Sequence, residues 1–590
     1  MFTAPAALLL LAALQAPPGF RLPDTVRPIS YQVHLTLDPA VPEISGAVEI
    51  HVRLTEASSR VWLNAKGLQI EKAMIRAGAW TLPAQATLVE DEFVALETSA
   101  PVAAGPAVLM LEFRGRIDDR LLVGPYRRRV GPDWYLFTTF TPIEARRAFP
   151  CFDEPRYKST WQFHLSVPAA LQAFTNAPAT SATAREGGWK TVHFEQTHLL
   201  PAEVTAFAVG PFDATAEARA GRKRVPVRTI TPRGQAASGL YAAQATDAVL
   251  RRLEKYTGIA YPWRKLDHIA LPEGAFGAVE NPGLITYLSS SLLLTPERDV
   301  EDRRRALRGL MTHELSHQWF GNLVTQSTWK DVWMSEGFAT WLTARMMDQE
   351  RPATLQNLNA IEARERIMLT DAGARTRAVR VEMPDRTALR GAYSPFVYQK
   401  AGAVLLMLEQ WLGAGRFQSG LRAYLKRHAK ANAGLSDFEA VLPPAAAPVL
   451  ESFLNRTGIP EVSAEARCGP GAGPALVLSQ AGGQEPWTIP VCWRTDQASG
   501  CTVVDKARKE VPLRACPAWI LPNARGAGYY RSKWPSGRMP PAAALTPAER
   551  LTLVYDLKSG GSLDLLKPFV EDADAQVARA ARRALNLPQQ

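Results

Sequence analysis

His313-Glu314-Leu315-Ser316-His317, followed by Gln-Trp-Phe-Gly-Asn-Leu-Val-Thr325 and then by Trp333-Met-Ser-Glu336-Gly-Phe-Ala339, holds the densest chemistry in this chain. Around it Leu307, Leu310, Met311 and Leu315 recur at helical spacing. Residues four apart on a helix lie one turn apart on the same face. His313 and His317 can therefore hold one Zn²⁺ through two imidazole nitrogens, with Glu314 beside the open coordination position. Two helix histidines that merely pack are the bland alternative, and the five-residue motif alone does not exclude it. Glu336 does. It comes 18 intervening residues after His317, at the head of another helical run. That spacing lets a second helix return antiparallel and present its carboxylate to the same ion. Two His and one Glu leave a fourth position for water, as in catalytic rather than closed structural sites. One Zn²⁺ per chain would lower the pKa of that water, and Glu314 can take its proton as general base.

Outward from this core the pattern changes twice. Residues 28 to about 215 carry short alternating segments such as Tyr31-Gln-Val-His-Leu-Thr-Leu37 and Ala47-Val-Glu-Ile-His-Val-Arg-Leu54, the signature of antiparallel sheet with one wet face. From Ala236, helical periodicity runs over 236–255, 303–320, 332–348, 354–369 and 400–430, with short apolar strands such as Leu266–Leu271 between. A mixed α/β domain followed by helices is the reading. Leu442-Pro-Pro-Ala-Ala-Ala-Pro448 is a candidate hinge, and Gly458-Ile-Pro460 ends the helical part. Strand-like segments then alternate with turns to about Trp534, predicting a small β-sandwich. Helix returns from Leu545-Thr-Pro-Ala-Glu-Arg550, and there is no internal repeat.

At 590 residues the chain exceeds one hydrophobic core, and 46% hydrophobic with 21% charged residues excludes a disordered or fibrous chain. Past residue 16 no apolar run reaches 18 residues, which excludes a multispanning membrane protein. The net charge of +11 is spread over separate clusters, Arg127–Arg129, Arg222–Arg224 and Arg303–Arg305, so it argues for Arg-rich usage and not for nucleic-acid binding. Residues 1–16 have the apolar length of a signal peptide or anchor. However, no Lys or Arg precedes the apolar core, and Pro17 follows the most plausible cleavage residue, Ala16.

The cysteines also point to export. Cys151 stands alone, while Cys468, Cys492, Cys501 and Cys516 cluster without any Cys-x-x-Cys pair. Two disulfides fit an exported chain better than a second zinc site. Three connectivities are open. Cys492 and Cys501 flank the turn-like Asp496-Gln-Ala-Ser-Gly500, which favours that pairing. The expected location is periplasmic, secreted or membrane-anchored, with any anchoring through the N-terminal segment only.

His313–His317 with Gln-Trp-Phe-Gly-Asn-Leu-Val-Thr325, Trp329-Lys-Asp-Val-Trp333 and Glu336-Gly-Phe-Ala339 resembles the gluzincin aminopeptidases of the aminopeptidase N type, from about residue 28 to 555. The resemblance implies a multidomain α+β fold: an N-terminal β-saddle, a thermolysin-like α/β catalytic domain, a small β-sandwich and a helical C-terminal segment. With the passes above, the expected divisions are 1–16 (signal or anchor), 20–215, 216–458, 459–535 and 536–590. It implies further that Gly277-Ala278-Val279-Glu280-Asn281 is the exopeptidase motif, with Val279 replacing the family's Met and Glu280 binding the substrate's free α-amino group. A carboxylate facing an ammonium in a partly dry pocket makes a strong charge-assisted bond. Tyr398, in Phe396-Val-Tyr-Gln-Lys-Ala-Gly402, matches the tyrosine that donates to the developing oxyanion. Ala145-Arg-Arg-Ala-Phe-Pro-Cys-Phe-Asp-Glu-Pro155 matches a first-domain signature of structural character. There are two departures: Thr141 stands where the family has Glu or Gln to seat the N-terminus, and only about 45 residues follow Leu545.

The function implied is a zinc-dependent aminopeptidase acting on peptides with a free N-terminus. The alternatives are a thermolysin-like endopeptidase, which Glu280 argues against, and an inactive interaction platform, which would have broken ligands. Ala392-Tyr-Ser-Pro-Phe-Val-Tyr398 resembles the paired tyrosines of the leukotriene hydrolase branch, but Arg390 stands where that branch uses Asp.

Overall fold

A computed structural model describes residues 17–350, 357–469, 473–483, 485–535 and 537–588. The proposed signal or anchor at 1–16 lies outside the described residues. The first part of the chain contains a ten-stranded sheet in which Val26–Leu37 is an inner strand, flanked by antiparallel Glu43–Leu54 and by parallel Thr160–Pro168. Here the alternation in the sequence becomes two faces. Tyr31, Val33, Leu35 and Leu37 are buried, as are Val48, Ile50, Val52 and Leu54 opposite them, while Gln32, His34 and Thr36 lie on the other face. The 145–155 signature closes this part structurally. Arg146 is buried and its Nε donates to Asp153 at 2.9 Å, and Cys151 is a free, buried thiol whose backbone bridges to Asn64.

Phe212–Ala214, Val225–Pro232, Leu266–Leu271, Leu284–Leu288 and the edge pair Ala278–Val279 form a mixed sheet. Val225–Pro232, Leu266–Leu271 and Leu284–Leu288 run parallel, and Leu266–Leu271 is buried along its whole length, as a parallel strand covered on both faces must be. The helices Leu240–Thr257 and Glu301–Ser316 pack beside it, and Trp333–Asp348 packs on Glu301–Ser316. Two sheets of four and three strands follow, then helices Pro547–Ser559 and Ala575–Ala584. Thr546 and Glu549 cap the first of these reciprocally, with Pro547 at its start. The β-rich, mixed α/β, sandwich and helical succession matches the expected architecture.

Two local expectations fail. Helix 400–430 is two helices, Ala401–Leu412 and Ala414–Arg427, because Gly413 adopts φ +88°, a conformation that ends a helix. The candidate hinge at 442–448 is no hinge, because the helix Ala446–Asn455 begins inside it and Leu442 and Ala446 are buried. The clustered cysteines pair as Cys492 with Cys501 across one hairpin and Cys468 with Cys516, both at disulfide distance.

Gly337 sets how closely two helices approach. A Cβ there would lie 2.7 Å from the Ala401 Cβ and 3.2 Å from the Val397 carbonyl oxygen. Replacing Gly337 with Ala should therefore force the helices apart and cost about 1–3 kcal/mol by overpacking. Denaturant unfolding checks this, and a variant as stable as the parent would refute it.

Candidate active site

The helix Glu301–Ser316 places Glu301 and Asp302 in its first turn, where they complement its dipole, and buries Leu307, Met311 and Leu315. That burial turns His313 and His317, the latter at the helix's C-terminal cap, toward the neighbouring helix Trp333–Asp348. Glu336 sits in the first turn of that helix and is buried. His313 Nε2 lies 3.2 Å from His317 Nε2, and Glu336 Oε2 lies 3.4 Å and 3.3 Å from them. An ion bound tetrahedrally at about 2.0–2.1 Å spaces its ligands about 3.3–3.4 Å apart. The triangle has the edges of such a site.

The tautomer is fixed as well. His317 Nδ1–H reaches Ser335 Oγ at 2.8 Å, and the Ser335 hydroxyl donates to the Phe320 carbonyl at 3.1 Å. The Nε2 lone pair is thereby left free for a metal. Glu280, Glu314 and His317 form a second possible cluster, but its Glu280 contact is with Nδ1 at 4.0 Å, the nitrogen already committed to Ser335. The triangle with Glu336 is therefore the metal-competent group. Its field is that of a cation site. Burial alone would lower His317, yet the carboxylates of Glu280, Glu336 and Glu314 outweigh it and push the imidazole up to about 10. Against burial, the two histidines hold Glu336 down to about 2.

Glu314, also buried, borders the triangle. Burial pushes its acid well up, Glu280 and Glu336 add to this, and His317 opposes it. Tyr398 lies in a π-helical turn, Phe396–Lys400, with its ring 6.2 Å from that of His313. Burial, then Glu336, Glu280 and Glu314, raise its phenol far above the usual value, keeping it a hydrogen-bond donor. Lys400 anchors the turn, its Nζ 2.8 Å from Asp371 Oδ2 in a fully buried pair, with Tyr529 donating to the same oxygen.

The 277–281 segment runs along the sheet edge. Gly277 accepts a backbone bond from Leu288 and Asn281 accepts one from Leu284. Ala278 is half-buried and Val279 buried, so of this segment Glu280 brings the functional side chain to the cleft. Its carbonyl accepts from Gln318 Nε2 and Asn322 Nδ2, both at 2.9 Å. The structure thus brings together His313, His317, Glu336, Glu314, Glu280 and Tyr398.

The sequence reading missed Ser335, Gln318, Asn322 and Glu203, and it gave Tyr393 no role beyond one of two paired tyrosines. Glu203 is 5% exposed, and burial with Glu280, Asp153 and Glu336 drives its acid well up. Tyr393 feels the charges of Glu203, Glu336 and Glu280 after burial itself. A lone Glu in the apolar run Leu199-Leu-Pro-Ala-Glu-Val-Thr-Ala-Phe-Ala-Val209 was the available signal for Glu203.

Residues 27–203 match the peptidase M1 N-terminal domain and residues 241–456 the peptidase family M1 domain. Among similar proteins, aminopeptidase M1-C of Oryza sativa subsp. japonica is 29% identical over 574 residues, covering 91% of this chain and 63% of that protein. Aminopeptidase M1 of Arabidopsis thaliana is 28% identical, covering 90% and 64%. Glutamyl aminopeptidase of Mus musculus is 29% identical, covering 88% and 58%. The chain spans about three fifths of the length of these curated relatives.

Replacing Ser335 with Ala removes the group that fixes His317. Divalent-ion affinity should fall by about 10- to 100-fold, toward the lower figure because the Phe320 carbonyl remains within reach of Nδ1. Competition against a chromogenic chelator reads this. Unchanged affinity would show that Ser335 does not orient the imidazole.

Proposed function

The chain belongs to peptidase family M1, and from that premise we propose that it is a zinc-dependent aminopeptidase that hydrolyses the N-terminal bond of peptides with a free N-terminus. The observation that carries the proposal is the triangle of His313, His317 and Glu336, with edges of 3.2–3.4 Å. In this reading the three residues hold Zn²⁺, which when bound supplies a Lewis acid that acidifies water and polarises a carbonyl. Glu314 accepts the proton of the attacking water and returns it to the leaving amine. Tyr398 donates its phenolic hydrogen to the oxygen on which negative charge develops. Glu280 pairs with the substrate's α-ammonium, and the backbone of Gly277–Asn281 lines the first residue. In this reading the cleft lies between a saddle at 20–215 and a catalytic unit at 216–458, followed along the chain by the sandwich at 459–535 and a helical segment at 536–590.

We also infer export, supported by the two cysteine pairs at disulfide distance. No described helix is long and apolar enough to cross a membrane.

Three outcomes test this reading. Glu314→Gln should abolish turnover while the metal stays bound; near-normal activity would sink the assignment of the base. Acetylating the substrate's N-terminus leaves the Glu280 carboxylate facing a neutral amide. The acetylated substrate should therefore react roughly 30- to several-thousand-fold more slowly, and Glu280→Ala should largely erase the difference. Equal rates for both substrates would mean an endopeptidase that keeps the same metal centre. Lastly, thiol counting on the denatured, unreduced protein should find one thiol per chain, that of Cys151. A count of five would remove the case for disulfides.

A further inference from the structure

Thr141 stands where a second acidic or amide group would seat the substrate's amine, yet the cleft does not lack that group. The Thr141 hydroxyl donates to the backbone carbonyl of Glu203 at 3.2 Å. Glu203 lies in the short 3₁₀ turn Ala202–Val204, and its Oε2 is buried without a hydrogen-bond partner. Among the described residues no Lys, Arg or His nitrogen lies within ion-pair distance of its carboxylate. A buried carboxylate with neither a cation nor a donor is costly.

The same turn is fastened to the Glu280 segment. Asn176 Nδ2 donates to the Val204 carbonyl at 3.0 Å and to the Pro282 carbonyl at 2.9 Å, and its Oδ1 accepts from the Ala206 amide at 2.7 Å. Gly283 closes the join. A Cβ there would lie 2.1 Å from the Asn176 carbonyl oxygen, so only glycine lets the two backbones approach this closely. Asn176 thus fixes the residues beside Glu203 and those beside Glu280 in one relation, and the Glu280 charge adds to burial in raising the Glu203 acid.

We propose that Glu203 is a substrate-binding residue, the second carboxylate for the α-ammonium of the substrate, taking over from another segment of the chain the place that Thr141 leaves empty. An α-ammonium carries three N–H donors, and one carboxylate cannot satisfy them all. With Glu280 on one side and Glu203 on the other, the cation gains two charge-assisted bonds and each buried carboxylate gains its partner. This inference rests on the aminopeptidase reading and adds a residue to it.

The test uses the zinc-loaded full chain and its Glu203→Gln variant, assayed on leucyl, lysyl and N-acetyl-leucyl 4-methylcoumarin amides, with thermal unfolding alongside. Loss of one of two charge-assisted contacts should raise KM for the leucyl substrate roughly ten- to a hundredfold, with a smaller change in kcat. The preference for free over acetylated amine should shrink by a similar factor. Glu203→Gln should unfold at or above the parent's temperature, because a neutral amide takes the place of a carboxyl group that burial already keeps from ionising.

Unchanged KM and unchanged amine preference would overturn the role of Glu203 and leave the aminopeptidase reading intact. A KM effect on the lysyl substrate alone would overturn it too, by placing Glu203 against the first side chain. A clear drop in unfolding temperature would mark Glu203 as structural. A parent enzyme that cleaves acetylated and free substrates equally would reject both readings together.

Discussion

Lone pairs aimed at one point repel one another, and in this protein three of them meet within 3.2–3.4 Å. Ser335 orients His317, and the rest of the constraint comes from packing around the three side chains. The burial of Leu307, Met311 and Leu315 sets the rotation of one helix. The second helix has almost no polar face in its first two turns, where Trp333 through Ala339 are buried, so it cannot rotate away. Gly337 then lets the segment carrying Tyr398 close on the other side. The site is held by packing that surrounds it, and its three side chains keep the spacing that a tetrahedrally bound ion would need.

The cleft as a whole is acidic. Glu203, Glu280, Glu314 and Glu336 converge with two histidines, and Arg or Lys enters only at a remove, as with the Lys400–Asp371 pair behind Tyr398. Burial raises Glu203 and Glu314 and the neighbouring carboxylates raise them further, while Glu336 is held low by the histidines. Similar side chains therefore reach different protonation tendencies within one cavity, which is how one pocket can offer a metal ligand, a base and cation-binding walls.

The metal triangle was legible because its information is local: two histidines one helical turn apart and a glutamate heading the next helix. The sheets were legible where alternation is strict, as in Tyr31–Leu37. What was lost depends on contacts between distant segments. Gly413 reads in sequence as a residue that a helix tolerates, and only its positive φ shows a break. The Pro- and Ala-rich run at 442–448 reads as a linker, but Ala446 is buried and helical. Ser335 carries no sequence signal, since its role depends on His317 lying beside it. Glu203 was visible as a charge in an apolar run, but its neighbours Thr141, Asn176 and Pro282 come from three separate stretches.

The Asn176 clasp also joins two stretches that lie far apart in the chain. Every residue of the metal triangle, the base and the phenol lies after residue 216, whereas Asn176 and Glu203 lie before it. A pair formed by Glu280 and Glu203 would therefore straddle one seam, while the triangle of His313, His317 and Glu336 lies wholly on one side of it. Loosening that seam would part the two carboxylates and leave the three metal-competent side chains where they are.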